Sequence, residues 1–370
     1  MTGRRGRFDL GPNQMPSALS HSLFEWFLEH QRPLPWRRSR EPYGVWVSEV
    51  MLQQTGVETV VPYYERFLRR FPTVGDLAAA GIDEVLALWS GLGYYRRARQ
   101  MHAAAQEIVD RGGRFPRRPE GLQELPGIGP YTAAAVASIA FGARVPAIDG
   151  NVVRVVSRLL ALDSDPRKGA GRERIHQVAA ALLDPEEPGT SNQALMDLGA
   201  MVCRPRQPRC GECPLVVGCR AAASGEPESY PAARRRRAMV KSRRAVVIAR
   251  RGECILFFRR PEDSELLAGL WELPWADESN GPELEEQLSR RYGGSWAIGE
   301  PEGTVRHAIT FRSIEVGIRH GVLKDINDVG EGQEARWLAP STLDRKPVSG
   351  LDRKVLSRAG VKSEKDQPPD

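Results

Sequence analysis

Four of the chain's five cysteines, Cys203, Cys210, Cys213 and Cys219, crowd into one short stretch, with six, two and five residues between them. Four thiolates so near in sequence can close around a single metal centre, and the backbone between them is then committed to a loop. Tetrahedral zinc and an iron–sulfur group both accept such a set. The fifth, Cys254, stands alone in an apolar strand-like run, which argues against a secretory disulfide framework. Between the first two ligands the sequence is Arg-Pro-Arg-Gln-Pro-Arg. Arg204, Arg206 and Arg209 are therefore anchored at both ends, a preordered arrangement for phosphate contacts.

At 370 residues the chain exceeds one typical domain, and its pattern changes along its length. Residues 1–17 are basic and aperiodic, a loose arm. Residues 18–222 read as nearly all helix, with helical apolar spacing over 20–30, 56–71, 82–89, 96–111, 132–141 and 171–183. Residues 223–240 shift to Ser, Gly, Pro and the run Arg234 to Arg237, a linker whose charges are either solvated or laid along phosphates. Over 241–345 the period becomes two, with strands at 244–250, 254–259 and 313–318 and a helix at 283–292, a mixed α/β domain. Residues 346–370 are polar and are expected to be a mostly disordered tail.

Lys and Arg total 53 against 47 Asp and Glu, a net charge of +6 that suits a polyanionic partner without demanding one. No leader pattern is evident and no apolar run nears the roughly 20 residues of a membrane span, so the expectation is a cytoplasmic protein with no membrane partner.

Residues 125–133, Leu-Pro-Gly-Ile-Gly-Pro-Tyr-Thr-Ala, precede an Ala-rich helical stretch. Gly127 and Gly129 permit a turn whose N–H groups face outward at a helix N-terminus, a nest for one DNA phosphate. An ordinary tight turn between helices reads the same way. Further on, Asp149 is the lone carboxylate in the apolar run Val145-Pro-Ala-Ile-Asp-Gly-Asn-Val-Val. Such an Asp either caps a helix or does chemistry.

Hairpin, Asp and four-cysteine loop follow in the order of the helix-hairpin-helix glycosylases, and the chain resembles the adenine DNA glycosylases of the MutY family. The resemblance is carried by Leu34-Pro-Trp-Arg, by Val45-Trp-Val-Ser-Glu-Val-Met-Leu-Gln-Gln-Thr, by Leu88-Trp-Ser-Gly-Leu-Gly-Tyr-Tyr-Arg-Arg-Ala-Arg and by Asn192-Gln-Ala-Leu-Met-Asp-Leu-Gly-Ala. It implies an all-α glycosylase domain with a 4Fe-4S loop over 203–219, the spacing and Pro208 and Pro214 being similar to that superfamily's cluster loop. It also implies a monomeric enzyme of bacterial base excision repair, at the nucleoid through its DNA, acting on duplexes with adenine opposite 8-oxoguanine or guanine.

Breaking an N-glycosidic bond to adenine needs charge relief on the base and on the sugar, which two carboxylates in different protonation states supply. By resemblance Glu49 protonates the base at N7 and Asp149 stabilises or captures the sugar cation. Glu49, within Val-Met-Leu, should be partly desolvated and its pKa raised. Tyr131 and Asn151 are assigned to the same site. Relatives that nick the strand carry a lysine at the hairpin position of Tyr131; a phenol cannot form a Schiff base, so little lyase activity is expected. An adenine in a duplex must be extruded, and Gln54, Thr55, Leu92 and Tyr94 occupy the family's wedging and partner-reading positions. Arg32, Leu34, Trp36, Leu52, Gln193 and Met196 are the implied walls of the adenine pocket.

Residues 241–345 resemble the Nudix-like domain with which the family recognises 8-oxoguanine, most clearly at Leu267-Ala-Gly-Leu-Trp-Glu-Leu-Pro. Hydrolysis of nucleotides is not expected, because Glu283, Glu285 and Glu286 do not reproduce the magnesium-holding pattern. The family's Phe-Ser-His reading loop is here Ile309-Thr310-Phe311, preceded by His307. Thr310 keeps a hydroxyl, but the loop's histidine is gone, which implies weaker or differently achieved discrimination. Two competing readings are a helix-hairpin-helix enzyme excising another base and a non-enzymatic iron–sulfur DNA sensor.

Overall fold

The computed structural model describes residues 17–232, 238–264, 266–279, 281–309, 311–324 and 334–361. Of the loose arm expected at residues 1–17, residues 1–16 lie outside the described residues and Ser17 begins the first helix; the run Arg234 to Arg237 also lies outside them. The helices are α1 Ser17–His30, α2 Pro42–Leu52, α3 Val57–Arg70, α4 Val74–Ala79, α5 Ile82–Trp89, α6 Arg96–Asp110, α7 Pro119–Gln123, α8 Pro130–Phe141, α9 Gly150–Leu160, α10 Gly169–Ala181, α11 Pro188–Met201 and α12 Arg220–Ala223. Then come β1 Val240–Arg251, β2 Cys254–Arg259, β3 Trp271–Glu272, β4 Trp275–Asp277, α13 Gly281–Tyr292, β5 Trp296–Ile309, β6 Arg312–Leu323, β7 Ala335–Leu338 and α14 Gly350–Arg358. Among the described residues no helix is long and apolar enough to cross a membrane.

The chain divides into two compact units. Of the described residues, the first takes 17–68, 73–75 and 104–232, and the second takes 69–72, 76–103 and the residues from 238 on. Residues 76–103, which sequence pattern assigns to the helical domain, thus belong by contact to the second unit. There Ser90 Oγ donates to the Val348 carbonyl at 2.9 Å, and Arg259 pairs with Asp83 at 2.8 Å. Arg99 pairs with Glu262 at 2.7 Å and donates to the Ala268 carbonyl at 2.8 Å.

In the first unit the core gathers around α9. Val152, Val155, Val156 and Leu159 fall at helical spacing and form a single stripe, packed with Leu23 and Phe27 of α1, Ile175 and Val178 of α10, and Leu195 and Leu198 of α11. Helix α8 is apolar on every side and buried from Thr132 to Ile139, and it stops at Gly142, whose φ of +70° closes the helix in the left-handed region. Gly189 must be glycine, because a Cβ there would meet the Ile139 Cα at 2.6 Å and bar the close approach of α11 to α8. Buried Asn192 of α11 accepts from the Ala147 N–H and donates to Ser138 Oγ and the Val145 carbonyl, each at 2.9 Å. This fixes the loop that leads to Asp149.

The second unit is built on a sheet of order β3-β2-β1-β6-β5, with β4 beside β1 and β7 beside β2; β1 and β6 run parallel. Alternation along β1 feeds two cores. Val246 and Ile248 pack with Trp271, Leu273, Val355 and Leu356, whereas Ala245, Val247 and Ala249 pack with Leu284, Leu288 and Tyr292 of α13. The expected tail is corrected here: α14 occupies Gly350–Arg358, and Val355 and Leu356 belong to the core. Ser349 caps that helix, accepting from the Asp352 N–H at 3.1 Å. Residues 362–370 lie outside the described residues.

Candidate active site

Three segments of the first unit converge on an open cavity of about 1310 Å³. The first is α2, buried from Tyr43 to Met51, which brings Glu49 inside at 5% exposure. The second is the hairpin before α8. Gly127 sits at φ +75°, Gly129 is the N-terminal cap residue and Pro130 takes the first helical position, where its missing N–H costs nothing. Gly127 and Gly129 are both exposed, and Tyr131 follows on the first turn of α8. The third is the start of α9, where Asp149 is the cap residue and accepts from the Val152 N–H at 2.7 Å.

Tyr131 Oη donates to Glu49 Oε2 at 2.6 Å, although 82 residues separate them, and lies 3.5 Å from Met196 Sδ. Burial pushes the Glu49 carboxyl up to about 7; the Tyr131 hydrogen bond opposes the rise, the nearby Asp149 charge adds to it, and Arg37 opposes it. Burial also raises Asp149, against the Val152 N–H and the amide of Asn151, which donates to Asp149 Oδ2 at 2.8 Å. The Tyr131 hydroxyl is driven well above its ordinary value, so it stays a donor.

Arg32, Leu34, Trp36, Leu52, Gln54, Thr55, Gln193 and Met196 line the same cavity as Glu49, Tyr131, Asp149 and Asn151. Two further residues, Arg37 and Asp197, line it as well. Asp197 accepts from Arg32, and from Arg37 Nη1 at 2.8 Å; Arg37 Nε also donates to Gln193 Oε1 at 2.9 Å. Burial works against the Asp197 charge, yet Arg37 and Arg32 hold the carboxyl below its ordinary value. The available signal was a charge in the apolar run Ala-Leu-Met-Asp-Leu, the same signal that marked Asp149. Leu92 and Tyr94 lie in the second unit; Leu92 is buried, and Tyr94 is 42% exposed.

Cys203, Cys210, Cys213 and Cys219 are brought together around one cavity with Arg158, Val202 and Pro208. Among the described residues no three His, Cys, Asp or Glu side chains are grouped to hold a single metal ion. The four thiols around that shared space are soft donors of the kind an iron–sulfur group takes, and tetrahedral zinc draws on the same donors. Buried Arg158 organises the loop, with Nη1 3.4 Å from Cys203 Sγ and 2.7 Å from the Arg204 carbonyl, and Nη2 2.9 Å from the Pro205 carbonyl. One turn earlier, Arg154 donates to Asn151 Oδ1 at 2.7 Å and to the Cys203 carbonyl at 2.8 Å. Arg204 and Arg206 are exposed, and Arg209, also exposed, pairs with Glu212 at 2.9 Å.

In the second unit His307 lies on β5 opposite Ile314, and its buried Nδ1 has no hydrogen-bond partner. Burial, and then the Lys354 charge, lower its pKa, which favours the neutral ring. Thr310 lies outside the described residues.

A helical unit that sets a two-glycine hairpin and a helix-capping aspartate against a buried glutamate is the architecture of base-excision DNA repair proteins of the helix-hairpin-helix class. The family model described as HhH-GPD superfamily base excision DNA repair protein matches residues 47–225, and a NUDIX domain model matches residues 244–358. A thermostable thymine-DNA glycosylase has a similar structure at 28% identity, with a TM-score of 0.51 over 55% of this chain and 95% of that one. An endonuclease III in non-covalent complex with DNA is similar at 25% identity and a TM-score of 0.50, over 58% of this chain and 98% of that one. The chain belongs to the adenine DNA glycosylase family. It is 35% identical to the Homo sapiens adenine DNA glycosylase over 92% of this chain and 73% of that protein, and 39% identical to the Mus musculus one over 92% and 77%.

Proposed function

We propose that the chain removes adenine opposite 8-oxoguanine, and opposite guanine, from duplex DNA in base excision repair, as a monomer that hydrolyses the N-glycosidic bond without cutting the strand. One observation carries this reading: in a single cavity, a glutamate held near neutral pKa and hydrogen-bonded by a tyrosine lies close enough to a helix-capping aspartate for their charges to interact.

Glu49 is the general acid. With a pKa of about 7 it keeps a proton at neutral pH to give to adenine N7. Tyr131 donates to Oε2 and leaves the other oxygen to carry that proton. Asp149 is the carboxylate that faces the developing sugar cation, and the Val152 N–H and Asn151 amide fix its oxygens. Tyr131, lacking an amine, gives no Schiff base, so lyase activity is little or none. Extrusion of the adenine is assigned to Gln54, Thr55, Leu92 and Tyr94. The pocket walls are Arg32, Leu34, Trp36, Leu52, Gln193 and Met196, with Arg37 added. The nest at Gly127 and Gly129 takes a phosphate.

Cys203, Cys210, Cys213 and Cys219 would hold a 4Fe-4S cluster, which when bound supplies rigid closure of the loop carrying Arg204, Arg206 and Arg209. Partner-base recognition is assigned to Thr310 and His307 of the Nudix-like domain; with Phe311 in place of the family's histidine, discrimination for 8-oxoguanine is expected to be weaker or differently achieved.

Single-turnover cleavage of duplexes holding A:8-oxoguanine, A:G, A:C, T:G or 8-oxoguanine:C, with and without subsequent base treatment, tests the reading. Adenine release from the first, with nicks only after base, is expected. No adenine release, or thymine release from T:G instead, overturns the substrate; nicking without base overturns the role of Tyr131. An iron-free, colourless preparation overturns the cluster.

A further inference from the structure

Tyr94 stands in a backbone conformation that nothing in its own side chain favours. Gly91, Gly93 and Tyr94 have φ of +106°, +72° and +50°. Two of these are glycines, for which the left-handed region is open, but at Tyr94 the Cβ crowds the following carbonyl. The conformation persists because the surroundings impose it. Trp89 Nε1 donates to the Gly93 carbonyl at 3.1 Å, and the Arg97 N–H donates to the Tyr94 carbonyl at 2.9 Å. The Arg97 guanidinium, itself only 8% exposed, then closes the loop from within: Nη2 lies 3.4 Å from the Leu92 carbonyl and 3.3 Å from the Gly93 carbonyl. Its Cζ lies 5.3 Å from the Trp89 ring centre and 5.4 Å from that of Tyr94. One buried cation thus touches both carbonyls before Tyr94 and the ring of Tyr94, while Tyr94 as a residue remains 42% exposed.

We propose that Arg97 is a positioning residue for base extrusion: it locks the Leu92–Tyr94 turn so that the Tyr94 ring is held out, preformed, to enter the DNA stack. This rests on the reading that Tyr94 is the wedge. Holding the ring in place before DNA arrives removes an ordering cost from the extrusion step. The guanidinium suits the task because its flat fork spans two carbonyls while its face meets an aromatic ring, which an ammonium group cannot do.

The test is a double-mutant cycle in the full chain, with single-turnover adenine release and the fluorescence of 2-aminopurine beside the mispair as readouts. Arg97→Lys and Arg97→Met are each combined with Tyr94→Ala. Arg97→Met is expected to slow release and 2-aminopurine unstacking about ten- to a hundredfold in otherwise native protein, and Arg97→Lys to recover only part. In the Tyr94→Ala background both should add less than about twofold, because the residue through which they act is gone. Full, additive losses in both backgrounds, or an Arg97→Met protein that is folded and unimpaired, overturn the role of Arg97. If Arg97→Met does not fold, Arg97→Lys carries the cycle under the same criteria. An unimpaired Tyr94→Ala enzyme overturns the wedge reading instead.

Discussion

Two carboxyls in this chain, Glu49 and Asp352, are equally hidden at 5% exposure, and desolvation pushes both to about 7. They differ in what surrounds them. Glu49 opens onto a cavity of about 1310 Å³, receives a hydrogen bond from Tyr131 and feels a second carboxylate, Asp149, that lines the same space. Asp352 is spent on structure: it accepts from Ser349 Oγ at 2.5 Å and from the Leu273 N–H at 3.3 Å, and its own N–H completes the cap of α14. The charge of Glu272 raises it further, and Arg260 lowers it. A raised carboxyl pKa is therefore no mark of chemistry by itself; at Glu49 it coincides with an open cavity that a second carboxyl also lines, and at Asp352 with the cap of a helix.

Asp149→Asn should have the largest effect, lowering single-turnover adenine release on the order of a thousandfold or more, while thermal unfolding barely moves because Asn caps a helix nearly as well as Asp. Glu49→Gln removes the acid and keeps the shape; a loss of about a hundred- to ten-thousandfold is expected, again in a folded protein. Tyr131→Phe is milder, about tenfold, with a distinctive signature. The Tyr131 hydrogen bond lowers the Glu49 pKa, so its removal should shift the alkaline fall in rate to higher pH.

Asp352→Asn should leave adenine release within about twofold and change stability instead. Its folded-state pKa is raised from 3.8 to about 7, so its favourable contribution is complete below the unfolded value and is lost as pH rises through the folded one. Urea midpoints measured across that window should decline with pH less steeply in the Asn variant than in the native chain. A severe loss of activity in a stable Asp352→Asn protein would erase the distinction between the two sites.

Much of the architecture is legible because it is local. The helical spacing of α9, the change to a period of two at β1, and the crowding of four cysteines all lie within a few residues of sequence. Asp149 announces itself as a charge in an apolar run, and the structure shows it capping α9. What is not legible is long range. The contacts that draw residues 76–103 into the second unit join Ser90 to Val348 and Arg99 to Ala268, 258 and 169 residues apart, and leave no periodic trace. Helix α14 was hidden by its polar residues, although Ser349 three places before Asp352, followed by Val355 and Leu356, is a capping pattern ahead of an apolar pair. Asp197 carried the same signal as Asp149, but its two arginine partners, Arg32 and Arg37, lie 165 and 160 residues away. Pairing at that distance is a property of the packed fold alone.

The proposed mechanism requires Glu49 to hold the reactive proton at neutral pH. It is tested most directly by the pH dependence of single-turnover adenine release from an A:8-oxoguanine duplex, measured in the native chain and in Tyr131→Phe. The rate is expected to fall about tenfold per pH unit above a midpoint near 7, to fall separately on the acid side as Asp149 takes up a proton, and to show the alkaline midpoint moved upward in Tyr131→Phe. A rate that stays level through about pH 9, or a midpoint that Tyr131→Phe leaves in place, would contradict it.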